Sequence, residues 1–138
     1  MLAGVALRSL DVLGDAVTLP QFRLLAVLAD LGPVPSGQAA RALGLDRSTV
    51  TRLADRMVAA GHVARGSDPR HRGVVTLSLT ASGQDLVATA DAWRRAELAR
   101  IMARLAPAEQ AAVAAALGLL VSAAGDDYGI NAHRPVPL

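Results

Sequence analysis

A single glycine separates two short amphipathic segments in SGQAARALGLDRSTVTRLADRMV, residues 36–58, and this spacing constrains the fold more than any other feature of the chain. Ala39, Ala40 and Leu43 share one face of the first segment. Val50, Leu53, Ala54, Met57 and Val58 form a stripe on the second at helical spacing. Gly44 stands where the chain must turn sharply, and glycine reaches positive φ at least cost. Ala40, Gly44 and Val50 supply a small residue at the helix crossing, a glycine in the turn and a branched residue in the wedge, in helix-turn-helix register. Ser36 is the expected N-cap of the first helix and Asp46 of the second, which Gly61 stops as a C′ residue.

The flanking segments read mostly as helices. Residues 2–16 place Leu2, Val5, Ala6, Leu10 and Leu13 at helical spacing. Thr18-Leu19-Pro20 resembles a helix start, and Gly32-Pro33 ends the run that follows. After the helix-turn-helix come two strands, His62–Arg65 and Val74–Leu79; in the second, apolar and hydroxyl side chains alternate. A helix is expected over 81–105, and another from Pro107 to near Gly125. The stretch AAVAAALGLLV in the last is apolar almost all round and should be buried on more than one side. Residues 126–138 lack periodicity and read as a loose tail. The expected fold is mainly α with a small β-hairpin wing, a winged helix-turn-helix flanked by N- and C-terminal helices.

With 138 residues the chain fits one domain and can bury roughly 70% of its unfolded surface. One Trp, one Tyr and one Phe leave the core to Ala, Leu and Val. There is no cysteine, which excludes disulfides, thiolate metal sites and thiol redox sensing. No uninterrupted run of 18 apolar residues occurs and no secretory signal is visible, so the expectation is a cytoplasmic protein with no membrane partner. Every basic side chain except histidine is Arg. Residues 36–80 hold seven Arg against three Asp, a net +4, while the remainder carries −2. A basic middle between acidic ends suggests a local anionic partner.

The outer face of the second helix sharpens that suggestion. Ser48, Arg52, Asp55 and Ala59 lie opposite the apolar stripe, flanked by Thr49, Thr51 and Arg56. Arg, Ser and Thr donate to phosphate and read base edges, and recognition helices use their first turns for this. The helix dipole favours phosphate near Arg47 and Ser48. The alternative is an ordinary polar face, with Arg52 and Asp55 as a local ion pair. Ser67–Gly73, SDPRHRG, would form the tip of the wing, where Arg70 and Arg72 are candidates for a narrow minor groove. Solvated loop charges are the alternative there.

LGLDRSTVTRLADRMVAAGHVARGSDPRHRGVVTLSLTASG resembles the MarR family of transcriptional regulators, over roughly residues 20–85. The resemblance implies a winged helix-turn-helix lobe over 20–80. Residues 2–16 and 81–124 would be dimerisation helices, and 125–138 the tail, of one MarR-type domain spanning 1–138. It implies a homodimer on a pseudo-palindromic double-stranded DNA operator, with half-sites about one helical turn, ~34 Å, apart. The family's recognition-helix contacts fall on Arg47, Ser48, Thr49, Thr51 and Arg52, with Ser36 and Gln38 meeting phosphate. Asp68, as wing support, and Arg70 match the first half of the wing motif. His71 and Gly73 stand where Asp and Arg are frequent, so the wing has one Arg fewer. Many members are repressors released by small aromatic or phenolic effectors. Arg23, Trp93 and Arg94 could line such a site, with core and surface roles as the alternative.

Nothing in the sequence points to an enzyme or a cofactor. The three His, 62, 71 and 133, are scattered, and no nucleophile-plus-base arrangement or phosphate loop occurs. A metal site on His62 and His71 lacks further nearby ligands. The rival class is a winged-helix protein-interaction module without specific DNA binding. Such a module would expose apolar side chains on residues 47–52.

Overall fold

The computed structural model describes residues 2–68, 71 and 73–124. Arg70, Arg72 and the expected tail lie outside the described residues. Among the described residues, six α-helices and three strands follow one another as α1 (Leu2–Asp11), α2 (Leu19–Leu31), β1 (Val34–Pro35), α3 (Ser36–Leu43), α4 (Arg47–Ala59), β2 (Val63–Ser67), β3 (Val75–Leu79), α5 (Ala81–Met102) and α6 (Pro107–Ala124). The segment expected as one helix over 2–16 divides into α1 and a 3-10 turn, Gly14–Ala16, with Gly14 at φ 56°.

Local chemistry accounts for most boundaries. Gln21 accepts from the Thr18 amide at 2.7 Å, which satisfies a donor at the start of α2. Gly44 adopts the left-handed conformation (φ 64°, ψ 31°), and Leu45 N donates back to Ala40 O at 3.0 Å. At the end of α4, His62 N donates to Met57 O (2.9 Å) and Gly61 N to Val58 O (3.0 Å), with Gly61 at φ 79°. That pair of bonds is the Schellman arrangement.

Two expectations need correction and one an addition. Pro35, not Ser36, is the N-cap of α3, because Pro35 is still extended (φ −55°, ψ 139°) in β1; Ser36 is the first helical residue. The expected hairpin is present as β2 paired with β3, but it does not stand alone. β1 adds a third strand, and the antiparallel order is β1-β3-β2, with Val34 opposite Leu77 and Val63 opposite Leu79. Finally, α6 is not buried within the chain. Between Pro107 and Ala124 no residue is buried, and all but Gln110 and Ala124 are exposed. Leu119, Leu120 and Val121 are 73%, 66% and 70% exposed. Its mean hydropathy of 1.4 over 18 residues makes it long and apolar enough to cross a membrane by length and composition, a property that counting uninterrupted apolar residues did not register.

The core lies where α2, α3, α4 and the sheet meet. Leu24, Leu25, Leu28, Val50, Met57 and Leu77 are fully buried, and Ala39, Ala40 and Leu43 close the α3 side. α5 passes beneath this lobe and packs along α1 through a tie centred on Arg94. Arg94 Nε donates to the buried Ser9 Oγ (2.7 Å), Nη1 to Asp91 (3.1 Å), and its guanidinium lies 5.1 Å from the Phe22 ring centroid. One side chain thus joins α1, α2 and α5.

Candidate nucleic-acid interface

Burial of Val50, Leu53, Ala54 and Met57 fixes the rotation of α4 and turns Arg47, Ser48, Thr51 and Arg52 outward; Thr49 is half-buried at the margin. Asp46 caps the helix and organises its first turn. Its carboxylate accepts from Ser48 Oγ (2.5 Å), Thr49 Oγ1 (2.7 Å) and Thr49 N (2.8 Å). These bonds, that from Ser48 foremost, hold the Asp46 carboxyl well below the usual carboxylate range. The capping charge therefore persists into acid, and its contribution is lost only as pH falls through that depressed value. Of the first-turn amides, Asp46 takes that of Thr49, and its negative charge sits at this helix end.

Arg47 is directed elsewhere. Its guanidinium lies over Gly37, where an added Cβ would sit 3.2 Å from Nη2. This carries a cation to the first turn of α3, between Ser36 and Gln38 in the chain. Its N-cap, Pro35, makes no side-chain capping bond. Gln38 is exposed and Ser36 half-buried. Thr51 Oγ1 donates to Arg47 O at 2.8 Å, and Arg52 Nη2 reaches Thr49 Oγ1 at 3.4 Å.

Asp55 does not pair with Arg52. It accepts from Arg65 Nη2 at 2.5 Å, which links α4 to the wing strand β2. Both partners are substantially exposed, at 39% and 53%, so the pair contributes under about 1 kcal/mol. An Asp55→Ala, Arg65→Ala double-mutant cycle in urea should return a coupling of that size. A coupling above about 2 kcal/mol would show that the bridge carries the wing's position.

The wing base is closed by Asp68 N to Val74 O (3.1 Å) and by His71 N to Asp68 O (3.3 Å). His71 is exposed, with Nδ1 3.4 Å from Asp68 Oδ2. At the other end the sheet is bolted to α5. Thr80 Oγ1 donates to Gly61 O (2.6 Å), Thr80 N to His62 O (3.1 Å), and His62 Nδ1 meets Ser82 Oγ (2.8 Å). Gly83 lets this happen, since a Cβ there would lie 2.1 Å from His62 O.

The three residues considered for an effector cleft do not converge. Arg23 Nη2 donates to Leu43 O (3.2 Å). Trp93 lines a groove between α1 and α5 with Val5 and Ile101, and Arg94 is the helix tie. A larger cleft of about 480 Å³ lies between the end of α2, β3 and α5, lined by Leu28, Leu79, Gln84, Val87, Asp91 and Arg95 among others.

Comparison with known proteins is decisive at the level of family. The MarR family model matches residues 17–72. The crystal structure of RV1404 from Mycobacterium tuberculosis superposes with a TM-score of 0.81 at 34% identity, over 90% of this chain and 85% of that one. The chain belongs to the MarR family. The uncharacterized HTH-type transcriptional regulator YcgE of Bacillus subtilis is 44% identical over 57 residues. The chain spans only 37% of that regulator's length, and the match covers 41% of the chain. A mutant of MepR from S. aureus, bound to an oligodeoxyribonucleotide, shares the fold with a TM-score of 0.69 at 21% identity. Around this MarR-type lobe, sequence reading overlooked Gly37, Gly83 and Arg65. For Gly83 a signal existed: a glycine three residues after a capping threonine.

Proposed function

We propose that this MarR-family protein is a transcriptional regulator that binds double-stranded DNA as a homodimer. The observation that carries the reading is the outer face of α4, which presents Arg47, Ser48, Thr51 and Arg52, with Thr49 at its margin, and no large apolar side chain. A docking surface for another protein would expose apolar anchors there. The DNA-bound MepR structure supports the reading at the level of the fold. In this reading α4 enters the major groove, Ser36 and Gln38 meet phosphate, and Arg70 and Arg72 reach the backbone or minor groove from the wing, with Asp68 as its support. The protein acts in the cytoplasm as a repressor on a pseudo-palindrome.

α1, α5 and the exposed apolar α6 supply the dimer surface, because a patch of that extent in water marks an interaction site. A small aromatic or phenolic effector would sit in the cleft between α2, β3 and α5. There it would press on the joint that sets α5 against the lobe.

Gel-shift titration against the DNA flanking its own gene, with random duplex as competitor, tests the core of this proposal. Sequence-selective binding that weakens steeply with salt is expected. Arg52→Ala should cost about 1–3 kcal/mol of discrimination. Equal affinity for random duplex would remove the regulator reading. Release of that DNA by phenolic compounds would test the effector.

A further inference from the structure

Ser48 and Thr49 do not act independently of Asp46. A hydroxyl has one proton and two lone pairs. Ser48 Oγ and Thr49 Oγ1 both spend that proton on the Asp46 carboxylate, at 2.5 and 2.7 Å. What each oxygen still offers is lone-pair density alone. Thr49 Oγ1 additionally lies 3.4 Å from Arg52 Nη2, so it accepts from one side and donates to the other. The order Arg52, Thr49, Asp46, Ser48 is a strip of hydrogen bonds whose direction a single carboxylate dictates.

The major groove distinguishes bases by that direction. Adenine and cytosine present amino donors there, whereas guanine and thymine present carbonyl acceptors. An unconstrained Ser or Thr pairs with either kind. We infer that Asp46 is a positioning residue that sets the hydrogen-bond polarity of the first turn of α4, so that Ser48 and Thr49 select amino-bearing bases while Arg52, a pure donor, selects guanine. The inference rests on the DNA-binding reading and adds to it a statement about base chemistry in the half-site. An N-cap alone would require only the Thr49 amide bond, which is 2.8 Å long here.

Asp46→Asn separates the two roles. Asn ranks with Asp as an N-cap, so α4 should persist. The amide oxygen can keep the Thr49 N and Ser48 bonds now made to Oδ1. The amide nitrogen then replaces Oδ2 and must donate to Thr49 Oγ1, which turns the Thr49 proton outward.

The experiment is selection of bound sequences from a random duplex pool by the full-length chain, its Ser48→Ala and Thr49→Val variants, and Asp46→Asn. The Ala and Val variants mark the positions that the two hydroxyls read. Adenine or cytosine is expected at those positions for the unaltered chain. In Asp46→Asn the position marked by Thr49 should turn toward guanine or thymine, a swing of about tenfold in relative affinity. The position marked by Ser48 should stay as it was. Urea midpoints and circular dichroism of all four proteins verify folding. Guanine or thymine at the marked positions of the unaltered chain overturns the inference. So does the absence of any marked position, or an unchanged preference in folded Asp46→Asn. If the unaltered chain enriches no sequence at all, it is the DNA-binding reading that fails.

Discussion

Gly83→Ala should destabilise the protein by about 1–3 kcal/mol and disturb the seating of α4, although it adds only one methyl group. The new Cβ would lie 2.1 Å from the His62 carbonyl oxygen and 3.1 Å from its carbon and from Leu79 Cδ2. The first obstacle is backbone, so no rotamer change relieves it. Helix propensity predicts the opposite sign, since Ala is favoured over Gly by up to about 1 kcal/mol. The steric demand wins because His62 O also accepts the Thr80 amide, and the neighbouring Gly61 O accepts the Thr80 hydroxyl. Moving α5 away would stretch both bonds, together with the His62–Ser82 contact. A lowered urea midpoint, accompanied by weaker DNA binding, is the expected outcome. A midpoint equal to or above that of the unaltered chain would show that the joint is soft.

The second large effect concerns α6. If α6 forms the proposed dimer surface, Leu120→Asp should convert the dimer into monomers at micromolar concentration and abolish tight DNA binding. Leu119, Leu120 and Val121 face water in the single chain at 73%, 66% and 70% exposure. Burying a Leu is worth about 1.5–3 kcal/mol, and two-fold symmetry counts each substitution twice. A loss of about 3 kcal/mol or more corresponds to roughly two orders of magnitude in dissociation constant. A carboxylate in place of the apolar group adds a desolvation cost. Sedimentation velocity measures the mass directly. An unaltered chain that sediments as a monomer, or a variant that keeps the dimer mass, would assign the apolar face of α6 to something other than self-association.

What could be read from the sequence follows the range of the responsible interaction. The turn at Gly44, the cap at Asp46 and the stop at Gly61 each depend on residues within a few positions, and all three occur as expected. β1 was not legible. It has two residues, one of them Pro, and exists only because Val34 meets Leu77, far along the chain. The misplaced cap of α3 has the same origin, since pairing in β1 keeps Pro35 extended. Burial of α6 was expected from composition, but apolarity states only that a partner is needed, not that the chain contains it.

The outward side chains of α4 were legible because the buried stripe fixes the helix rotation. Their mutual bonding was not: periodicity says which way Ser48 and Thr49 point, not where their protons go. The same limit applies to Arg47, which lies over Gly37, and to Asp55, which pairs with Arg65 rather than Arg52.

The order β1-β3-β2 leaves a three-stranded sheet with two edges, and they invite unwanted strand addition unequally. The β1 edge is almost closed to a further strand, because it is two residues long and its second residue, Pro35, has no amide to offer. The β2 edge, Val63–Ser67, is longer, no further strand pairs with it among the described residues, and it carries the charged Arg65. Charge on an edge strand disfavours further pairing, so Arg65 is expected to protect this edge as well as link it to α4. Neutralising it would cost more in shelf life at high protein concentration than in folding free energy.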